Sequence, residues 1–180
     1  GNQSRIVVED EGTAELEAIS FAGIAVFGGY GREVIKVDGG SLSMSGVSLY
    51  RVFNGSLITA TNANLFVRGL YTYHTSFSPI FDLRGSSIPS FAHFENSLIR
   101  DNQIDCSDPF LYVGPNWNVD FINNGVHETS KSCFGFDDEF TTFVEFEGDG
   151  LLVSNNIYTE NVGNLGFVYD ETIEEIPQMP

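Results

Sequence analysis

Lysine is nearly absent from this chain, and cysteine, methionine and tryptophan number only 2, 2 and 1. The 8 basic side chains stand against 25 acidic ones, which gives a formal net charge of −17. A chain this poor in cations cannot neutralise a phosphate backbone or anionic lipid head groups, so we expect no nucleic-acid partner. Long apolar runs are also lacking: residues 18–27 reach about half the length that spans a bilayer, so we expect no membrane insertion.

Surface helices lack their usual material as well, because Ala-Leu runs and Glu-Lys pairs are scarce. The chain has instead 16 Phe, 19 Gly and a hydrophobic content of 42% over 180 residues. That length allows one domain with a substantial buried core. The composition therefore indicates an ordered, acidic domain rather than a disordered chain.

An internal repeat runs through most of the sequence. Residues 19–24, 42–47 and 65–70 share the pattern apolar, any, apolar, any, Gly, apolar, and they begin 23 residues apart. The same position recurs after intervals of 23, 29 and 34 residues. We expect these anchors to form one inward stack: Ile19, Leu42, Leu65, Ile88, Trp117 and Leu151.

A second apolar series accompanies the anchors at nearly the same intervals. Its segments start at Val34, Leu57, Ile80, Phe110, Phe143 and Phe167. Three residues before five of the anchors stand residues that enter the left-handed backbone region at low cost, and we predict bends there: Gly39, Asn62, Gly85, Gly114 and Gly148. Each coil is thus expected to be strand, bend, strand and a variable arc.

These features predict an all-β fold, a right-handed parallel β-helix of about six coils of ~23 residues, with longer loops in coils four and five. We expect an N-terminal cap over residues 1–15, the β-helix over 16–170 and an acidic tail or linker over 171–180. An antiparallel sandwich is the rival fold, although its strands have no reason to keep a 23-residue register. The chain is interpreted as a small capped solenoid or a segment of a longer surface protein.

The repeat resembles right-handed parallel β-helix proteins, of which the pectin-lyase-like superfamily is the best known. The resemblance covers roughly residues 14–170 and rests on periodicity alone. Residues 39–42 and 121–124 also resemble repeats of polymorphic outer-membrane-type surface proteins. The resemblance implies, as one functional alternative, a polysaccharide lyase or hydrolase.

The two cysteines lie in the two longer coils, at offsets of 18 and 16 residues from their anchors. Similar offsets on coils about 4.8 Å apart bring side chains within disulfide range. We therefore predict a Cys106–Cys133 disulfide, with two reduced, buried cysteines as the alternative. A closed bond would indicate an oxidising compartment, so the expected location is extracellular or at the cell surface.

Outward-facing strand positions supply the candidate site residues. Asp82, Tyr112 and Glu145 should form one external column, with Glu147 on the same face, and the two outer carboxylates about 9.6 Å apart. Paired carboxyl groups about 6.5–9.5 Å apart serve inverting glycosidases, so Asp82, Glu145 and Glu147 are catalytic candidates. Phe66 and Tyr112 are ligand-binding candidates because outward aromatic rings suit carbohydrate or protein ligands.

An acidic loop offers a metal site. Asp101, Asp105 and Asp108 could supply hard oxygen ligands to Ca²⁺, whereas a solvated loop explains the same residues without a metal. No other cofactor is expected. Residues 123–124 and 155–156 are all asparagine and should lie near a common corner of the coils. They predict a structural ladder of side-chain amides.

Three functions remain open. The chain is a secreted or surface-displayed binding or adhesion module for a carbohydrate or protein, a polysaccharide-active enzyme, or a structural spacer in a larger surface protein. No catalytic motif favours the enzyme, so binding is the leading prediction.

Overall fold

The computed structural model describes residues 6–23, 33–51, 56–74, 76–77, 79–100, 103–105, 109–127, 130–132, 140–159, 164–169 and 172–175. Every described secondary-structure element is a β-strand. The strands form three long sheets and one short sheet.

In spatial order, the first sheet contains β1 (Ile6–Glu9), β4 (Ile35–Asp38), β7 (Ile58–Thr61), β11 (Phe81–Leu83), β15 (Leu111–Val113), β19 (Phe140–Phe146), β22 (Asn164–Tyr169) and β23 (Thr172–Glu175). The second contains β2 (Thr13–Glu17), β5 (Ser41–Ser45), β8 (Asn64–Arg68), β12 (Ser90–Glu95), β16 (Trp117–Ile122) and β20 (Gly150–Ser154). The third contains β3 (Ser20–Ala22), β6 (Ser48–Tyr50), β9 (Tyr71–Tyr73), β13 (Leu98–Arg100), β17 (Gly125–His127) and β21 (Ile157–Thr159). The short sheet contains β10 (Ser76–Phe77), β14 (Gln103–Asp105) and β18 (Ser130–Ser132).

The chain visits the first, second and third sheets in turn and then repeats, so it forms a parallel β-solenoid. All described strand pairs are parallel except the terminal pair of β22 and β23, which excludes the antiparallel sandwich. In the second sheet and in the third, four of the six strands have a neighbouring strand on both sides. The predicted fold class is therefore confirmed, whereas the right-handed winding stays a prediction.

The core follows from the two-residue period of the strands. In β8, Leu65 and Val67 are buried while Phe66 between them faces outward. Aromatic rings fill the interior of the middle coils: Phe81 packs edge-on against Phe94, with ring centroids 4.7 Å apart. One coil cannot cover its own apolar face, so the stacking of coils creates this core.

The predicted inward stack is right for half of its members. The register joins Leu42, Leu65 and Leu151 through Ala92 and Val119, and the first coil contributes Ala14. The second apolar series is confirmed over five coils, because the residues that follow its first five starts pair in register: Ile35, Ile58, Phe81, Leu111 and Val144.

Ile19, Ile88 and Trp117 lie outside that stack. Ile88 is 53% exposed in the connection before β12, and Trp117 is buried opposite Ser90, two residues before the stack position that Val119 occupies. Ile19 lies between β2 and β3. Extra residues between β11 and β12 move the fourth inward position from residue 88 to 92, so the step from Leu65 is longer than the 23-residue repeat.

The predicted bends at the corner between the first and second sheets differ from coil to coil. Gly39 and Asn62 have the predicted positive φ, of 83° and 51°. Gly85, Gly114 and Gly148 do not adopt the left-handed bend, so that part of the prediction is wrong. At Gly114 and Gly148 the neighbouring coil approaches so closely that a Cβ would lie 2.5 Å and 2.6 Å from backbone atoms.

The left-handed bend recurs instead between the second and third sheets. One residue per coil has positive φ there: Ala18, Gly46, Gly69, Asn96, Asn123 and Asn155. Inside this corner the predicted amide ladder is right for Asn124 and Asn156, whereas Asn123 and Asn155 are the exposed left-handed residues of the bend itself. Asn156 Oδ1 accepts from the Asn124 backbone N–H at 2.7 Å, and Asn124 Oδ1 accepts from the Ser97 N–H at 2.9 Å.

Pairing at the two ends extends beyond the expected boundaries of the solenoid. The parallel ladder starts at Ile6, which pairs with Ile35, within the range expected to form the cap. At the other end, β23 lies in the expected acidic tail and adds an antiparallel strand to β22. Such a reversed strand covers the edge that a further parallel coil would otherwise occupy.

The short sheet joins the longer arcs of three coils. Asp105 of β14 pairs with Ser132 of β18, and Cys106 and Cys133 are the next residues in the sequence. Both cysteines lie outside the described residues, so their disulfide stays a prediction. Each cysteine follows a paired residue by one position in the sequence. This placement fits the predicted disulfide, because paired strands lie about 4.8 Å apart.

Candidate functional site

Outward side chains of β8, β12 and β16 form a mixed aromatic and charged surface. We call it the phenylalanine cluster and define it by its members: Phe66, Arg68, Phe91, His93, Glu95 and Asp120. Phe66 is 46% exposed, and its ring centroid lies 6.0 Å from that of Phe91 at a tilt of 54°. The strand register, with Phe66 opposite His93 and His93 opposite Asp120, brings these side chains together.

Polar groups surround the two rings. His93 Nδ1 lies 3.2 Å from Asp120 Oδ2, and His93 Nε2 lies 3.6 Å from Glu95 Oε2. Arg68 Nε lies 3.3 Å from Glu95 Oε1 and completes a chain of polar contacts across three coils. All four polar side chains remain partly exposed, so the cluster offers hydrogen-bond donors and acceptors beside an apolar surface.

The outward column on the first sheet has the predicted order. Asp82 pairs with Tyr112, and Tyr112 pairs with Glu145. Tyr112 Oη donates a hydrogen bond to Glu147 Oε2 at 3.2 Å, and Arg84 Nε forms an ion pair with Asp82 Oδ2 at 2.9 Å. The structure therefore brings the three catalytic candidates to one face, with Asp82 already engaged by a guanidinium.

The environment of Tyr112 favours its neutral form. Burial raises the pKa of its phenol above 10.0, and the charges of Glu147, Glu145 and Asp82 raise the pKa further. The hydrogen bond to Glu147 acts in the same direction, since only the protonated phenol can donate it. At neutral pH, Tyr112 is thus a hydrogen-bond donor at a carboxylate-lined surface and not a base.

We expect Glu147→Gln to lower the pKa of Tyr112 toward 10.0, because the substitution removes a nearby negative charge. Ultraviolet titration of phenolate absorbance measures it, with Tyr112→Phe identifying the Tyr112 contribution and Glu9→Gln as the control. Because the folded pKa is raised, the associated stability is complete below pH 10.0 and is lost as the pH rises through the folded pKa. An unchanged titration in Glu147→Gln would contradict this account of the column.

Other predicted site residues lie largely outside the described part of the chain. Asp101 and Asp108 of the proposed calcium loop are not described, and Asp105 is described only as the last residue of β14. Within the described ranges, no group of three or more His, Cys, Asp or Glu side chains is arranged to hold a metal ion. Those ranges also contain no helix long and apolar enough to cross a lipid bilayer.

Phe66 was predicted from its outward phase, and the structure confirms that it faces solvent. Its partners Phe91, His93 and Asp120 were missed, because the strict 23-residue spacing misplaced β12 by four positions. The alternating pattern of residues 90–95 could have located them.

Comparison of the chain with family models, with curated proteins and with solved structures finds no significant match. The parallel β-solenoid is therefore established by the strand pairing alone.

Proposed function

We propose that this protein is a secreted or surface-displayed binding module that holds a carbohydrate on the phenylalanine cluster. The pair of exposed Phe66 and half-buried Phe91, bordered by the polar groups of His93, Glu95 and Asp120, carries the proposal. A pyranose ring has an apolar face and a rim of hydroxyl groups. An aromatic surface beside fixed carboxylates complements both parts.

The surface is suited to binding more than to catalysis. Its carboxylates are already paired with His93 or Arg68, so neither is set apart as a proton donor. The Tyr112 column supports a second candidate, a polysaccharide lyase or hydrolase, because it aligns Asp82, Tyr112 and Glu145 across adjacent coils. The Arg84–Asp82 ion pair and the raised pKa of Tyr112 argue against a free base there.

Phe66→Ala tests the proposal. We expect the substitution to weaken carbohydrate binding about fivefold, because loss of an aromatic contact costs about 1 kcal/mol. A glycan array would identify the saccharide, and isothermal titration calorimetry would measure the dissociation constant for the wild-type and variant proteins.

Ile88→Ala is the matched control, since Ile88 is a large apolar side chain of similar exposure outside the cluster. Its affinity should equal that of the wild-type protein. Binding to a protein and to no saccharide would contradict the carbohydrate assignment. Release of reducing ends or unsaturated products would favour the enzyme, and tight homotypic stacking without any ligand would favour the spacer.

A further inference from the structure

The third sheet differs in charge from the rest of this acidic protein. None of its six strands contains an aspartate or glutamate, whereas the chain has 25 of them. The first and second sheets both carry carboxylates on their outer faces, for example Asp82 and Glu95. The third sheet instead places tyrosine, arginine and histidine at the last position of successive strands, as the register of Tyr50, Tyr73, Arg100 and His127 shows.

Four aromatic rings are gathered on coils two and three of this sheet. We call them the tyrosine patch: Tyr50, Tyr71, Tyr73 and His74. The ring planes of Tyr50 and Tyr73 differ by 8°, with centroids 5.8 Å apart, and Tyr71 is likewise 8° from Tyr73 at 6.3 Å. His74 lies 4.1 Å from Tyr73. Tyr71 is the most exposed of these tyrosines, at 39%, so one aromatic ring of the patch faces solvent.

A cation accompanies the rings. The Arg51 guanidinium carbon lies 4.9 Å from the centroid of the Tyr50 ring, and the residue is exposed. An arginine stacked on an aromatic ring keeps its planar donor edge available for a carboxylate. Arg51 and His74 occupy the corner that follows β6 and β9, where by sequence the later coils have Asp101 and Glu128. On this face Arg51 stacks on the tyrosine patch, and Arg100 of the next coil, opposite Tyr73, adds a second cation beside it.

Two residues with side chains adopt the left-handed backbone at this corner. Arg51 and His74 have φ of 52° and 50°, in the left-handed region that costs a side-chain-bearing residue about 1–2 kcal/mol. The equivalent residue of the first coil is Gly23, with φ of 65°, so glycine is accommodated at this bend. Glycine would avoid this conformational cost. The presence of Arg51 and His74 here therefore indicates that their side chains have a role at the surface.

We propose that the tyrosine patch is a second binding site, for a sugar that carries a carboxylate. The exposed tyrosine ring would contact the apolar face of the sugar, and Arg51 would bind its carboxylate through paired N–H donors. The formal charge of −17 opposes an acidic ligand. However, charges on the other faces are screened beyond about 8 Å at physiological ionic strength, so the local arginine dominates.

Titration calorimetry with 3′-sialyllactose and with lactose, which lacks the carboxylate-bearing sugar, tests this site. We expect the acidic trisaccharide to bind at least about tenfold more tightly than lactose, since a charged hydrogen-bonded contact is worth about 1.5–3 kcal/mol. Arg51→Gly should remove that preference. Because glycine relieves the positive φ, the variant should unfold at the same urea concentration as the wild-type protein or at a higher one.

Lys36→Gln is the charge-matched control, because it removes one cation from the first sheet, and its affinity should not change. Tyr71→Ala should also weaken binding, whereas Ile88→Ala, at an exposed apolar residue outside both sites, should leave it intact. Equal affinity for the two saccharides, no binding of either, or an Arg51→Gly variant that binds normally would overturn the proposal. Poly-glutamate binding as tightly as sialyllactose would overturn the sugar assignment in favour of an acidic peptide.

Discussion

Gly114→Ala is expected to lower the free energy of unfolding by about 3 kcal/mol, the upper end of the usual cost of overpacking a core. A Cβ at this position would lie 2.5 Å from the backbone nitrogen of Gly85 and 3.0 Å from its Cα. Both are backbone atoms, so no side-chain rotation can relieve the contact. The Gly114 N–H also donates to the Leu83 carbonyl at 2.7 Å, which holds the two coils at this separation.

Urea unfolding followed by the fluorescence of Trp117 measures this effect. Trp117 is the single tryptophan of the chain, is fully buried and donates from Nε1 to the Arg84 carbonyl at 2.6 Å. With a denaturant slope of about 2 kcal/mol per molar urea, the midpoint should fall by about 1.5 M.

Gly85→Ala is the matched control at the same corner. It also lacks a positive φ, and its added Cβ would meet only the ring of Pro115, at 3.2 Å from Cδ. The expected loss is about 1 kcal/mol or less, at the low end of overpacking costs. Equal losses in the two variants would show that the coil-to-coil contact at Gly114 is not the cause.

Asn124→Leu should lower the free energy of unfolding by about 3 kcal/mol, because two buried backbone groups would lose their partners. Asn124 is 1% exposed. Its Oδ1 accepts from the Ser97 N–H at 2.9 Å, and its Nδ2 donates to the Phe94 carbonyl at 3.0 Å. Leucine has the same branched shape and number of side-chain heavy atoms, so the substitution removes the hydrogen bonds without opening a cavity.

Asn64→Leu provides the comparison for Asn124→Leu, since it makes the same chemical change at an exposed strand position. Its effect should stay within about 0.5 kcal/mol. The same urea titration applies to both variants. If Asn124→Leu unfolded at the midpoint of Asn64→Leu, the amide ladder would not be a determinant of stability.

The prediction of the first sheet succeeded because its strands follow one another with few irregularities inside the ladder. The inward residues Ile58, Phe81 and Leu111 pair in the predicted order even where the intervals lengthen. A buried strand needs an apolar residue at every second position, and this requirement is visible in the sequence whatever the length of the intervening loop.

The second sheet shows where prediction from the spacing of apolar residues fails. Ile88 matched the 23-residue interval and is apolar, yet it is exposed, and Ala92 takes its place in the stack. Added residues in a corner shift the register without leaving a periodic signal. The phenylalanine cluster was only partly foreseen for this reason, since its members depend on how β8, β12 and β16 align.

The tyrosine patch could not be found from the pattern at all. Strands of the third sheet are three residues long, which is too short for an alternating signal. Tyr50 and Tyr73 are separated by a full coil in the sequence and meet only because β6 pairs with β9. The two left-handed residues that follow them, Arg51 and His74, have no sequence signature of that conformation.

The sequence by itself determined the fold class, because a repeat of short apolar strands leaves stacking as the way to bury each coil. It also determined that Asp82, Tyr112 and Glu145 share one column, since outward positions recur with the strands. Only the tertiary structure decided which glycines lie against the backbone of the neighbouring coil and which aromatic and charged groups meet. Those properties depend on the distance and alignment between neighbouring coils, and insertions in the corners change that alignment without altering the pattern within any one strand.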